Sequence, residues 1–242
     1  MKINYYYFGK QCPIIEDTLR QWKNDVKMNC FDISEDFALA KQKKMYFPFL
    51  IECNNKRYFA PFTQDTLTLI KEGKREEPYI VPLGKEVREG TITPLTQNNI
   101  RKVKGICTLN GCAEDCIRKA IFLQKHQDIY GFIHEYEGEV VAGVEYMPST
   151  MIPYDIVRDK KTAFITCLYS PYNEFDYRST VLKELEIYLK DKYDDVLIIS
   201  DERSNFPNGT LPFFLKRGYI DQGVVDVEEG YCRLHLLRKR LK

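Results

Sequence analysis

Neither sign of charge is in surplus in this chain of 242 residues. Its 36 Lys and Arg meet 35 Asp and Glu, a formal net charge of +1, so the totals point neither to nucleic acid nor to an anionic membrane surface. No apolar run approaches the roughly 20 residues that span a bilayer. The N-terminus, MKINYYYFGK, lacks the apolar core and cleavage site of a signal peptide, and cytoplasm is the expected location. Also missing is any C-x-x-C pair, although there are eight cysteines, at 12, 30, 53, 107, 112, 116, 167 and 232. In a reducing compartment these are expected as free thiols. Cys107, Cys112 and Cys116 lack the second pair of a structural zinc site, and His126 and His134 complete no familiar pattern. No metal is expected.

What the chain does have is material for a core. It is 44% hydrophobic and 29% charged, as in a soluble globular protein of one large or two ordinary domains. The organising stretch is residues 163–190, AFITCLYSPYNEFDYRSTVLKELEIYLK. Residues 163–169 read as a buried strand and 170–173 as a turn. From Tyr177 the period changes. Tyr177, Val181, Leu185 and Leu189 sit four apart, and Leu182 and Tyr188 widen the stripe into one face of an amphipathic helix. A strand feeding a helix through a short loop is a common anion cradle, because helix N-terminal amides point at the ligand. It is equally an ordinary βα unit of a core.

Before this stretch, residues 2–8 read as a strand and Gly9 to Pro13 as a loop. A helix follows with Ile15, Leu19 and Trp22 inward. Residues 27–33 give a second strand. Ser34 is the expected cap of a helix ending near Met45. Residues 47–52 form a third strand, and Asn54-Asn55 turns into a fourth at 57–62. Thr63 is expected to cap a last helix carrying Leu67, Leu69 and Ile70. The order is β-α-β-α-β-β-α over residues 1–74. With Cys12-Pro13 at the first strand-to-helix turn and Phe47-Pro48 before the third strand, this half resembles the thioredoxin fold, most closely a glutaredoxin-like domain. The resemblance implies a Cys-Pro-x-Cys motif and a cis proline packed on the active thiol, but Ile15 stands where the second cysteine belongs. A thiol at a helix N-terminus is a plausible nucleophile. Without a resolving partner Cys12 is limited to monothiol exchange, or the half is redox-dead. Residues 75–89, with Pro78, Tyr79-Ile80-Val81, Pro82 and Gly84, read as a linker.

Residues 90–242 give the order β-α-α-β-β-β-α-β-α-β-β. The pieces are a strand at 91–95, a helical stretch capped by Thr96, and a helix at 113–126 with Cys116, Ile117, Ala120, Ile121 and Leu123 inward. A hairpin with its turn at Gly138 joins 129–136 to 139–147. After the central strand and helix come a strand at 195–200, a loop at 201–210, a short helix at 211–217 ending at Gly218, and strands at 219–226 and 232–237. Gly138 to Tyr146, Cys167-Leu168-Tyr169-Ser170-Pro171 and Phe213-Phe214-Leu215-Lys216-Arg217-Gly218-Tyr219 together resemble the GNAT superfamily of N-acetyltransferases. The expected class is therefore α/β (α+β): a thioredoxin-like domain, then a GNAT-type mixed sheet with helices on both faces.

The resemblance implies acetyl-CoA as cosubstrate, its pantetheine arm along Leu168, Tyr169 and Ser170 and its pyrophosphate in a glycine-rich loop. No glycine occurs from Tyr169 to Glu186. Asn173, Asp176 and Arg178 stand in the loop instead. With Asp176 turned outward, Arg178, Ser179 and Thr180 would hold the phosphates, with Asn208 a further cofactor contact. The family's acid tyrosine falls at Phe214. Direct attack by a neutral amine needs a base, for which Glu145 and Asp155 are the candidates. Tyr154, Tyr146 or Tyr169 would bind substrate or supply the missing acid. The expected acceptor is a small-molecule or protein amine, with no nucleic-acid or membrane partner and with a homodimer left open. Two alternatives stand beside acetyl transfer: a degenerate GNAT fold that binds a ligand or partner without catalysis, and a monothiol redox protein acting through Cys12.

Overall fold

The computed structural model describes residues 1–22, 24–59, 65–75, 84–108, 111–170, 174–203 and 208–242. The expected Thr63 cap, the linker residues 78–82 and the turn at 171–173 lie outside the described residues. The first half comprises β1 (Lys2–Tyr7), α1 (Pro13–Trp22), β2 (Lys27–Asp32), α2 (Phe37–Gln42), β3 (Phe49–Cys53), β4 (Lys56–Tyr58) and α3 (Thr66–Lys71). Its four strands lie in the order β2-β1-β3-β4. β1 is parallel to β2 and antiparallel to β3, and β4 is antiparallel to β3. The Asn54-Asn55 turn forms as expected, with both residues at positive φ (50° and 62°), a conformation asparagine tolerates better than most residues. The cap of α2 differs from expectation. Asp36, not Ser34, accepts from Leu39 N at 2.9 Å, while the Ser34 hydroxyl donates to Asp32 at 2.6 Å.

The second half begins with β5 (Lys85–Glu86) and β6 (Thr91–Leu95). It continues through α4 (Lys104–Cys107), α5 (Ala113–Gln124), β7 (Gly131–Tyr136), β8 (Glu139–Pro148), β9 (Thr162–Tyr169), β10 (Phe175–Asp176) and α6 (Arg178–Lys190). It closes with β11 (Asp195–Asp201), α7 (Leu211–Leu215), β12 (Ile220–Glu228) and β13 (Cys232–Arg240). Seven strands make one mixed sheet in the order β12-β13-β11-β9-β8-β7-β6. Only β9 and β11 run parallel within it. β5 and β10 pair separately. Among the described residues no helix is long and apolar enough to cross a membrane.

The leucine stripe of α6 falls where its spacing predicts: Val181, Leu182, Leu185 and Leu189 are buried on one face of the sheet with Phe213, Phe214 and Tyr219. The opposite face is covered by α5 and by the first half. Tyr6, Phe8, Ile33, Met45, Phe47 and Phe59 join Cys116, Leu123, Ile133, Phe164 and Ile199 in one cluster. The two sheets therefore share a core. Charged pairs also cross the seam. Arg20 reaches Asp115 at 2.7 Å, Arg57 reaches Asp226 at 2.6 Å and Arg75 reaches Glu228 at 2.6 Å. Asp115 and Asp226 are buried, so each is a carboxylate whose burial is compensated by a cation from the other half.

Two irregularities shape the centre of the sheet. The β9–β11 ladder runs only from Thr162 to Ile165 on β9 and from Asp195 to Ile198 on β11. Beyond that point the strands diverge into a fork. Thr166 is an extra residue in the β8–β9 ladder, because Tyr146 pairs with Ile165 and Glu145 with Cys167. This bulge puts Cys167 and Tyr169 on the same face as Glu145.

Candidate functional site

Glu145 occupies the middle of β8, between two glycines that leave no room for side chains. A Cβ on Gly131, its partner in β7, would meet Val144 O at 1.8 Å. A Cβ on Gly143 would meet the Tyr169 ring at 2.3 Å. The Tyr169 ring consequently lies over Gly143, and its hydroxyl donates to Glu145 Oε1 at 3.3 Å. From α5, Lys119 Nζ meets Glu145 Oε2 at 2.5 Å, with both side chains no more than 2% exposed. Burial, the largest single effect, would favour a neutral lysine, but the Glu145 charge together with the surrounding Cys107, Cys167 and Cys12 outweighs it, and Lys119 is held protonated. Burial raises the Tyr169 phenol, and the negative groups around it add to the effect, so the hydroxyl keeps its proton.

Of the three catalytic candidates, only Glu145 lies in this cluster. Tyr154 is a core residue, with its ring 6.2 Å from that of Phe8 and 5.8 Å from that of Phe164. Asp155 is half exposed and pairs with Lys41 of the first half at 3.1 Å. Tyr146 is buried on the opposite face, near Tyr188 and Tyr193. Phe214, in the expected acid position, is fully buried against Phe213 and Tyr219. Lys119 was legible in the sequence only in part. It falls one turn after Cys116 on the inward face of α5, but lysine at such a position reads as solvated. Ile121, expected inward, is 52% exposed.

At the fork, the divergence of β11 leaves the Leu168 N–H without a strand partner, and Asn208 spans the gap. Its Oδ1 accepts from Leu168 N at 3.0 Å, and its Nδ2 donates to Ile199 O at 2.9 Å. Ser170 Oγ donates to Val141 O at 2.7 Å. At the head of α6, Asp176 is turned inward and is 1% exposed, which corrects the outward orientation expected for it. It accepts from Ser179 N at 3.1 Å and from the Ser179 hydroxyl, and Arg217 Nη2 donates to it at 2.8 Å. The Arg217 guanidinium stacks 3.7 Å from the Phe213 ring centre. Arg178 lies 5.1 Å from the same ring. Thr180 Oγ1 lies 2.8 Å from Tyr177 O and 3.0 Å from His134 Nδ1. One of the backbone amides that a helix offers to an anion, that of Ser179, is thus taken by the chain's own carboxylate.

Cys12 precedes α1 and is half-buried. Burial pushes its thiol up to about 11, against a smaller opposing pull from Lys119. A helix N-terminus alone therefore does not activate it. A rise of that size cuts the thiolate fraction at pH 8 by roughly 100-fold relative to a free thiol. Iodoacetamide labelling of Cys12, followed by peptide mass mapping, is expected to run slower than labelling of glutathione by about that factor. A rate equal to that of glutathione would show an activated thiol. Among the described residues no three His, Cys, Asp or Glu side chains gather as a metal site.

No protein-family model matches the chain, and no curated protein matches it. Among solved structures it is similar to an N-acetyltransferase from Staphylococcus aureus Mu50, at 15% identity and a TM-score of 0.48, over 64% of this chain and 100% of that one. It is also similar to Ard1 from Thermoplasma volcanium, at 13% identity and a TM-score of 0.45, over 63% of this chain and 98% of that one. A third is the PaiA N-acetyltransferase from Thermoplasma acidophilum in complex with coenzyme A, at 14% identity and a TM-score of 0.44, over 63% of this chain and 99% of that one.

Proposed function

We propose that the chain is an N-acetyltransferase-like protein of the GNAT type that moves an acetyl group from a thioester donor to an amine. The observation that carries this reading is the fork between β9 and β11, where the Leu168 N–H is met by the Asn208 side chain instead of by β11, beside a buried carboxylate, Glu145. An extended pantetheine arm can pair with such a strand edge as a further strand does. Glu145 is the group that would accept the amine proton, and Tyr169 is the proton-bearing hydroxyl next to it. The sheet order β2-β1-β3-β4, with Cys12 at the head of α1, supports reading the first half as thioredoxin-like. Its role here is to wall the acceptor side of the second half rather than to run redox chemistry.

The fit to acetyl-CoA is uneven. The acyl and pantetheine end has a strand edge to meet, but the pyrophosphate end meets Asp176. The reading is tested by following thiol release from acetyl thioesters with a panel of small amines. Amine-dependent release is expected, and Glu145→Gln is expected to lower it about 100-fold or more, the ordinary contribution of a positioned base. No release with any amine would favour a second reading, a GNAT fold that binds without catalysis. Asp176 in the helix N-terminus is the observation that supports that one.

A further inference from the structure

The mismatch at α6 carries a statement about the donor. A diphosphate held at a helix N-terminus needs free amides, close backbone approach and uncommitted cations. At the head of α6 each requirement is only partly met. The Ser179 amide is taken by Asp176. No residue from 174 to 186 is glycine, so side chains stand off any close approach. A groove of about 620 Å³ runs beside α6, and three of its four cations, all but the exposed Lys183, are already committed to carboxylates. Arg88 pairs with Glu86 at 2.9 Å, Lys239 with Glu186 at 2.5 Å, and Arg217 with Asp176 at 2.8 Å. Asp176 is 1% exposed, so it is a built part of the helix start. Its carboxylate supplies the negative charge that a pyrophosphate would otherwise bring.

We propose that the natural acyl donor is a pantetheine-type thioester without a nucleotide diphosphate, and that Asp176 selects against coenzyme A. This rests on the acyltransferase reading above and narrows its donor. The fork that receives the arm is on β9, at Leu168 and Tyr169, which precede Asp176 in the chain. Recognition is then carried by the neutral amides of the arm, and each phosphate added beyond it meets a carboxylate.

The test is a calorimetric titration of the full chain with acetyl-pantetheine, acetyl-4′-phosphopantetheine and acetyl-CoA. Acetyl-pantetheine is expected to bind at least tenfold tighter than acetyl-CoA, and Asp176→Asn to bring the two within about threefold by removing the repulsive charge. If the phosphopantetheine thioester matches acetyl-pantetheine, the proposal stands with a carrier-borne arm as the source. If it is the weaker, the proposal stands with a free thioester as the source. Acetyl-CoA binding tenfold tighter than acetyl-pantetheine to the unmodified chain would overturn the proposal and leave the acyltransferase reading intact. No binding of any of the three at millimolar concentration would overturn both. The comparison within the unmodified chain decides the matter even if the variant fails to fold.

Discussion

Lys119→Met is expected to destabilise the chain by about 3–5 kcal/mol, the usual cost of leaving one member of a buried ion pair alone. Lys119 and Glu145 are 2.5 Å apart and almost fully enclosed, so water cannot take over for the missing ammonium. Among the described residues Glu145 otherwise accepts a hydrogen bond only from the Tyr169 hydroxyl, at 3.3 Å, and a neutral donor at that distance does not balance a charge. The double variant Lys119→Met/Glu145→Leu is expected to regain most of the loss, because an apolar pair of similar volume removes the desolvation cost on both sides. Urea denaturation of the two variants beside the parent measures this. A single variant within 1 kcal/mol of the parent would mean that Glu145 is neutral or solvated, and the picture of a charged, closed cluster would fail. The pair also explains a chemical point. Lys119 already occupies Glu145 Oε2, so an arriving amine would compete with it for the same oxygen.

Arg57→Leu is expected to cost about 3 kcal/mol, at the lower end of the same range. Arg57 lies on the short β4, yet its guanidinium meets Asp226 at 2.6 Å and Glu228 at 3.3 Å on β12. It also donates to the Lys43 and Lys44 carbonyls, at 3.1 and 2.9 Å. Without it, Asp226, with its side chain 1% exposed, retains among the described residues only Lys44 at 3.5 Å. Because this arginine joins the two halves, its loss is also expected to weaken their coupling. Near-ultraviolet circular dichroism and tryptophan fluorescence, the latter reporting from Trp22 in α1, should still give coincident transitions in the parent. In the variant the two probes are expected to separate. Coincident curves with unchanged midpoint in Arg57→Leu would show that the seam is held by apolar packing alone.

Much of the fold was legible because it is written in local periods. The four-residue stripe of α6, the Asn54-Asn55 turn, and Glu137-Gly138 with both residues at positive φ are signals contained within a few residues. What was not legible depends on partners far apart in sequence. Ser34 and Asp36 are both good caps, and only the position of Asp32 decides between them. Asp176 read as an outward carboxylate until Arg217, 41 residues later, was seen beside it. Lys119 carries no local mark of burial, because its partner lies on β8. Tyr154 and Asp155, adjacent in sequence, part company for a similar reason: the first half buries one and pairs the other with Lys41. The seam itself, with Arg57 and Asp226 separated by 169 positions, leaves no mark on local composition.

The claim that an acyl thioester enters the fork is tested most directly by backbone amide chemical shifts. Acetyl-pantetheine is titrated into the isotopically labelled full chain, with the amides of β9 and the side-chain amide of Asn208 followed. The account predicts that Leu168 N–H, Tyr169 N–H and the Asn208 amide shift together and saturably, because the arm must share or displace the contact at 3.0 Å that Asn208 now makes. Saturable shifts confined to other parts of the chain, with these three unmoved, would contradict it.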